Sequence, residues 1–362
     1  MSIGFRNEID ITVSVANGAI AAVEILPRTR PPLTRLFAGK QVAALLSVLP
    51  RLFSLCAVAH QVAFLSAFEA ARGDEASAAT RENRITSVIA ERLAELLRGL
   101  FAGHMGLDHH SAAAVRAMLQ AIPVLGGSVA ESGHGQARRD AVSRVKTALS
   151  RLGIADVDAT PAPGSPLALH ISSLEVDALM PMEETFLSAA DDRDVVARLF
   201  ADGPDFAESP DLDGRIPETG VWARSANRKQ SWPQHSGPAA RLRARIAEIA
   251  RLSAWLEQGG ASMEEGVVES HAPGARRGAA AVECARGRLY HALELDSDGQ
   301  IARFEFLAPT EWNFHVRGPL VRTLQGSMLA GSRRGRDAVR SLVGSFDPCV
   351  AFSLNFREAA DA

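Results

Sequence analysis

The sequence of 362 residues predicts a mainly helical α+β fold. Helices are indicated by long segments with apolar residues at helical spacing, of which residues 81–100 are the clearest. Strands are indicated by alternating apolar and polar residues on both sides of Asn17-Gly18 and Asp298-Gly299, which are typical hairpin turns. Apolar residues make up 47% of the chain, enough to fill two or three associated sub-domains.

The first part of the chain combines one hairpin with several helices. Residues 8–26 alternate around Asn17-Gly18, a pair that suits a type I′ turn, and are predicted to form an antiparallel hairpin. Helical patterns follow over residues 33–48, 56–71, 81–100, 111–122 and 136–152.

The middle of the chain has weaker patterns. Residues 158–166, DATPAPGSP, have the composition of a linker. Residues 189–236 are acidic and then rich in Gly, Pro and Ser, so long loops are expected there. These features divide the chain into an N-terminal hairpin and helical region at 1–157, a linker and loop-rich region at 158–236, and a C-terminal region at 237–362.

The C-terminal region returns to regular patterns. A helix is predicted over residues 237–260, with Pro238 near its start and Gly259 past its end. Alternation across Asp298-Gly299 predicts a second hairpin. A closing helical pattern then leads into Asp347, Pro348 and Cys349.

Composition excludes several classes of function. The net charge is −3, the pI is about 6.4, and the arginines are spread along the chain, so no nucleic-acid-binding face is predicted. The N-terminal MSIGFRNEID lacks the apolar run of a signal peptide. The most apolar stretch, residues 42–71, is interrupted by Pro50, Arg51 and His60, so no membrane span is predicted. We therefore expect a cytoplasmic protein.

Three cysteines are too few for a disulfide framework, which leaves metal binding, catalysis or packing. Thiolates are soft metal ligands, and Cys56 and Cys349 are the candidates. Cys56 opens a predicted helix, and His60 lies one turn later on the same face, where it could hydrogen-bond a metal-bound sulfur. Packing alone is the alternative, because free cysteines are often buried.

Five segments resemble the nickel-iron hydrogenase large subunit. ECARG (283–287), APTEWN (308–313) and SFDPC (345–349) occur in the order seen at the C-terminal end of that family. RLFSLCAVAHQVAF (51–64) is similar to its front Arg-x-Cys-Gly-x-Cys-x-x-x-His segment, and PETGVWAR (217–224) weakly resembles a middle motif. The resemblance implies a large-subunit-like fold, a helical core with β-hairpin sub-domains, that the three regions build together.

The departures from the family bear on activity. In the enzymes, two Cys-x-x-Cys pairs hold a nickel-iron centre whose iron also carries carbon monoxide and two cyanides. Here Phe53 and Phe352 replace one cysteine of each pair, and Asn355 replaces the histidine that ends the rear motif. We therefore expect no hydrogen turnover and no nickel site, so that the chain is not an enzyme.

The residues that remain match a site for iron. By the family's roles, the resemblance implies that Cys56 and Cys349 are metal ligands. His60 and Asp347 match residues beside the metal, and Arg286 matches the arginine that faces the cyanides. An arginine fork suits such diatomic anions because it supplies several hydrogen-bond donors.

Other residues permit two interpretations. Cys284 stands where the family usually has alanine, and packing is favoured over a third sulfur ligand. Glu91 either matches a buried glutamate of the family or lies on an exposed helix face. The arginines of the 237–260 helix are interpreted as a solvated face, with partner docking as the alternative; they are Arg241, Arg243 and Arg245.

The resemblance extends to the accessory hydrogenase expression/formation proteins of the HupK/HoxV type. It implies a non-catalytic scaffold on which the iron-dicyano-carbonyl fragment is assembled or held before transfer. Its expected partners are hydrogenase maturation proteins and the hydrogenase large subunit. A metal-free chaperone that mimics the large subunit and a divergent nickel-binding hydrogenase-like enzyme are the alternatives.

Overall fold

The computed structural model describes residues 8–100, 109–125, 135–154, 160–175, 184–228, 237–258, 266–329 and 333–358. The mainly helical α+β prediction is confirmed. The helices are α1 (Leu33–Phe37), α2 (Val42–Leu46), α3 (Leu49–Leu52), α4 (Ala57–Arg72), α5 (Ala78–Leu100), α6 (His109–Leu125), α7 (Gly135–Arg151), α8 (Pro166–Ser173), α9 (Asp192–Ala201), α10 (Pro204–Glu208), α11 (Val221–Arg228), α12 (Pro238–Glu257), α13 (Pro309–Asn313), α14 (Pro319–Leu324) and α15 (Arg333–Ser345). The strands are β1 (Glu8–Ala16), β2 (Ala19–Leu26), β3 (Val268–Gly274), β4 (Arg277–Cys284), β5 (Gly287–Leu295), β6 (Ile301–Leu307) and β7 (Ala351–Glu358).

The strands form two sheets. One sheet has the order β2-β1-β7, and the other has the antiparallel order β3-β4-β5-β6. Both predicted hairpins are confirmed as β1–β2 and β5–β6. Asn17 and Gly18 have φ values of 50° and 77°, the left-handed backbone that a type I′ turn requires.

Two predictions about regular structure were wrong. The helix predicted over residues 33–48 is divided into short helices, because the chain turns at Gly39, whose φ is +71° and whose N–H donates to the carbonyl of Ile301 at 2.9 Å. The long loops expected over residues 189–236 instead contain α9, α10 and α11. Their apolar residues, such as Val195 and Phe206, are buried in a core cluster with Trp312. Residues 229–236 lie outside the described part.

Three strands were not predicted. β3 and β4 extend the β5–β6 hairpin into a four-stranded sheet. β7 follows directly after the C-terminal cysteine and pairs in parallel with β1, in a register that joins Glu8 to Ala351. The proposed division at residues 157 and 236 stays a prediction.

Helix α4 lies directly on strand β4 and brings distant residues to one place. A Cβ atom on Gly278 would come within 2.0 Å of the Ala67 carbonyl oxygen, so only glycine permits this approach. Buried ion pairs connect further elements. Arg224 of α11 bonds Glu248 of α12 at 3.0 Å and Glu283 of β4 at 2.6 Å. Across the described ranges, we find no helix with the length and apolar character needed to cross a bilayer.

Candidate functional site

Cys56 is held at the start of α4 by an unusual backbone conformation. Its φ is 58°, in the left-handed region, and its side chain does not cap the helix. Glu91 of α5 takes over the capping: its carboxylate accepts the N–H groups of Val58 at 2.7 Å and Ala59 at 2.9 Å. Burial raises the pKa of Glu91 to about 7 despite these bonds. Of the two interpretations of Glu91, the buried one is correct.

Arg286 lies in the turn between β4 and β5 and is almost fully buried. Its Nη1 donates to the Cys56 Sγ at 3.3 Å and to the Glu95 Oε2 at 3.2 Å. Its Nε lies 3.7 Å from the Asp347 Oδ1. This guanidinium therefore links the front cysteine to two carboxylates and to the C-terminal Asp-Pro-Cys segment.

The Cys284 thiol contacts the Cys56 thiol. The two side chains are hydrogen-bonded to each other, and both residues are buried. The hydrogen bond and burial raise the pKa of Cys56, while the same bond lowers the pKa of Cys284.

Cys349, in the C-terminal Asp-Pro-Cys segment, also interacts with Arg286. Its backbone N–H bonds the Thr310 Oγ1 at 3.4 Å, and its sulfur interacts electrostatically with Arg286 and Cys284. Burial raises the pKa of the Cys349 thiol. Cys56 therefore contacts Arg286 directly, whereas Cys349 interacts with it only through its electrostatic field.

Asp347 and the arginines of α12 close the other side of Arg286. Asp347 has a φ of 53°, and its Oδ2 lies 3.4 Å from the Arg245 Nη2. A cavity of about 20 Å³ lies between Arg245, Arg286 and Asp347, which is room for one water molecule. Arg241 is buried against Phe346 with its guanidinium 4.1 Å from the ring centre.

The prediction that the arginines of α12 form a solvated face was therefore wrong for Arg241 and Arg245, which are 3% and 7% exposed. A carboxylate faces each of them, the buried Glu218 for the first and the partly exposed Asp347 for the second. Only Arg243 lies in solvent, where it pairs with Glu175.

His60 lies on the same face of α4 as Cys56, one turn further on, but its Nδ1 lies 2.9 Å from the His291 Nε2. Its ring stacks on Phe53 with 3.7 Å between centroids. Burial lowers the pKa of His60 and lowers that of His291 to about 3, so both rings are neutral at pH 7. One nitrogen of His60 remains for a sulfur, and that role stays a prediction.

Sequence reasoning missed the partners Glu95 and His291. Glu95 lies one turn after Glu91 on the buried side of α5, a spacing that could have paired them. His291 lies on the same face of β5 as the buried Leu289 and Leu293, which places it on an inward face. Over the described ranges, no three or more His, Cys, Asp or Glu side chains are grouped so that they could hold a metal ion.

Comparison with known proteins shows the family to which this chain belongs. The hydrogenase expression/formation protein HupK of Bradyrhizobium diazoefficiens is 60% identical over 364 residues, with 100% of each chain covered. The chain belongs to the family of hydrogenase expression/formation proteins. HupK of Rhizobium leguminosarum bv. viciae is 38% identical, with 98% of this chain and 97% of that protein covered.

The fold of this hydrogenase expression/formation protein is that of a hydrogenase. Residues 239–354 match the sequence model of the nickel-dependent hydrogenases. The Ni-Fe-Se hydrogenase of D. vulgaris Hildenborough superposes with a TM-score of 0.66 at 15% identity, covering 93% of this chain and 95% of that one. The predicted large-subunit-like fold is thereby confirmed.

Proposed function

We propose that this chain is a non-catalytic scaffold in hydrogenase maturation. Its cargo is an iron-dicyano-carbonyl fragment, which it receives from maturation proteins and passes to the hydrogenase large subunit. The observation that carries the proposal is the buried Arg286, whose Nη1 donates to the Cys56 Sγ at 3.3 Å and which also interacts electrostatically with Cys349. Thiolates bind iron, and a guanidinium donates hydrogen bonds to cyanide nitrogens.

The predicted ligands are Cys56 and Cys349, and Arg286 is the predicted partner of the cyanides. The Arg286 Nε is a buried donor that has no hydrogen-bond acceptor among the described residues, because Asp347 lies 3.7 Å away. Such a donor is costly to leave unpaired. A cyanide nitrogen would satisfy it, so the residues present fit the proposed cargo.

The small number of protein donors favours a carrier over an enzyme. A bare metal ion needs about four ligands from a protein, whereas this fragment brings three diatomic ligands of its own. Phe53, at the place of one ligand cysteine, stacks on His60 and occupies the space beside it. A site with few thiolates binds its cargo less tightly, which suits release to another protein.

The proposal is tested by anaerobic purification after co-expression with the maturation proteins. We expect iron together with cyanide and carbonyl infrared bands in the wild type. The Cys56→Ala and Cys349→Ala variants should lose most of both signals, and an Arg277→Ala variant on the exposed Glu294 ion pair is the matched control. A wild-type protein without iron and without these bands would contradict the scaffold function.

A further inference from the structure

We infer that Cys284 binds the cargo together with Cys56, so that these two residues form a dithiol pair. The inference rests on the proposed function for the identity of the cargo. The pair itself can be tested without any iron. It assigns a ligand role to a position where the resembling hydrogenases usually have alanine.

The packing of α4 on β4 brings the two sulfurs together. Ala67 of α4 touches Gly278 of β4. From that contact, Cys56 lies eleven residues back along the helix, about 17 Å at 1.5 Å per residue. Cys284 lies six residues on along the strand, about 20 Å at 3.3 Å per residue. His60 of α4 contacts His291, which lies opposite Ala280 of β4, so the two elements run antiparallel and the near-equal lengths bring both residues to the same end.

The sulfur positions match what one metal requires. The thiols are hydrogen-bonded to each other, so their sulfurs lie in contact. Two thiolates about 2.3 Å from one metal, at a right angle, are about 3.3 Å apart. A metal bound to one of these sulfurs would therefore lie close to the other.

Arg286 donates a hydrogen bond to each sulfur of the pair. Its Nη1 donates to the Cys56 Sγ at 3.3 Å, and its backbone N–H bonds the Cys284 sulfur. Both donors stabilise negative charge on a thiolate. Cys349, by contrast, is fixed through Thr310 and faces Arg286 without a hydrogen bond to either of the other thiols among the contacts described here.

Phenylarsine oxide tests the pair directly, because its arsenic bridges two adjacent thiols. Two thiols and one phenylarsine oxide give one dithioarsonite and one water, with no change in oxidation state. We expect one adduct per chain by native mass spectrometry in the wild type and in Cys349→Ser. We expect none that survives a monothiol wash in Cys56→Ser or Cys284→Ser. Circular dichroism confirms that each variant is folded, and Cys284→Ala repeats the test with the residue usual in the resembling enzymes.

Two results would overturn the inference. In the first, Cys284→Ser keeps the adduct and Cys349→Ser loses it, which would assign the partner of Cys56 to Cys349. In the second, the folded wild type forms no adduct, which would show that the two thiols do not act together on one bridging atom. A wild type that binds arsenic at Cys56 and Cys284 but shows no cyanide bands after co-expression would instead contradict only the proposed function.

Discussion

The first turn of α4 separates two environments with opposite chemistry. On the thiol side, Cys56 and Cys284 face Arg286, which is paired with Glu95 and Asp347. On the imidazole side, one helical turn away, His60 faces His291 between Phe53 and Phe306. The first environment holds full charges, and the second holds neutral rings.

The difference shows how one short helix segment serves a buried site. Charges that are buried need partners, so the thiol side is a network of ion pairs. The rings need only each other, because burial keeps both imidazoles unprotonated. One side of this helical turn is therefore charged, and the other side is uncharged.

Removing the charge from the thiol side should have the largest effect. Arg286→Met leaves Asp347 and the buried Glu95 without this partner, which should lower the free energy of unfolding by about 3–5 kcal/mol. Urea denaturation followed by circular dichroism measures the change. The control is Arg277→Met, whose pair with Glu294 is half exposed and should contribute no more than about 1 kcal/mol. Equal losses in the two variants would show that Arg286 contributes no more to stability than the half-exposed Arg277.

Removing one ring from the imidazole side should have a smaller effect. His291→Phe leaves the His60 Nδ1 buried and unpaired, at a cost of about 1–3 kcal/mol. The double variant with His60→Phe replaces both partners by apolar rings and should recover part of that loss. A double-mutant cycle of unfolding free energies measures the coupling. Strictly additive losses would mean that the two imidazoles do not depend on each other.

The smallest expected effect is the dependence of the unfolding free energy on pH, which arises from the buried histidines and Glu91. The histidines have lowered pKa values in the fold, so the unfolded chain binds more protons and stability falls as the pH drops below about 6.5. We expect a loss of roughly 1 kcal/mol per histidine between pH 6.5 and 5.5. Glu91, whose folded pKa is about 7, acts in the opposite sense: it stabilises the fold increasingly as the pH falls from 7 toward its unfolded value.

Unfolding midpoints in urea at pH 7.5, 6.5 and 5.5 separate these contributions. The wild type should show partial cancellation, and the His60→Phe, His291→Phe double variant should lose less stability in acid than the wild type. Glu91→Gln should lose more, since its stabilising protonation is gone. Parallel pH profiles for all three proteins would contradict neutral buried histidines and a raised Glu91 pKa.

Local patterns were sufficient to predict the hairpins and the long helices. Residues 8–26 and the period of α5 depend on neighbours close in sequence, so their structure could be read from spacing. The motif resemblance supplied Cys56 and Arg286, which are in hydrogen-bond contact, and Cys349, which interacts electrostatically with Arg286; the ligand roles of the two cysteines stay a prediction.

Contacts between residues distant in sequence depend on packing and could not be predicted from the sequence. Nothing in a helical period shows that Arg245 faces a carboxylate about a hundred residues later instead of solvent. The cap that Glu91 provides depends on the crossing of α4 and α5, and the contact of Cys284 with Cys56 depends on α4 lying against β4. In each case the partner is set by how elements pack, which no local pattern records.

The pairing of β7 with β1 has a consequence for Cys349, which lies two residues before that strand. β7 is an edge strand, so its ladder has one partner, while Cys56 and Cys284 sit in the main core. Detaching one edge strand costs far less than global unfolding. The C-terminal sulfur could thus move away from Arg286 and return through local opening alone, with the helical body intact.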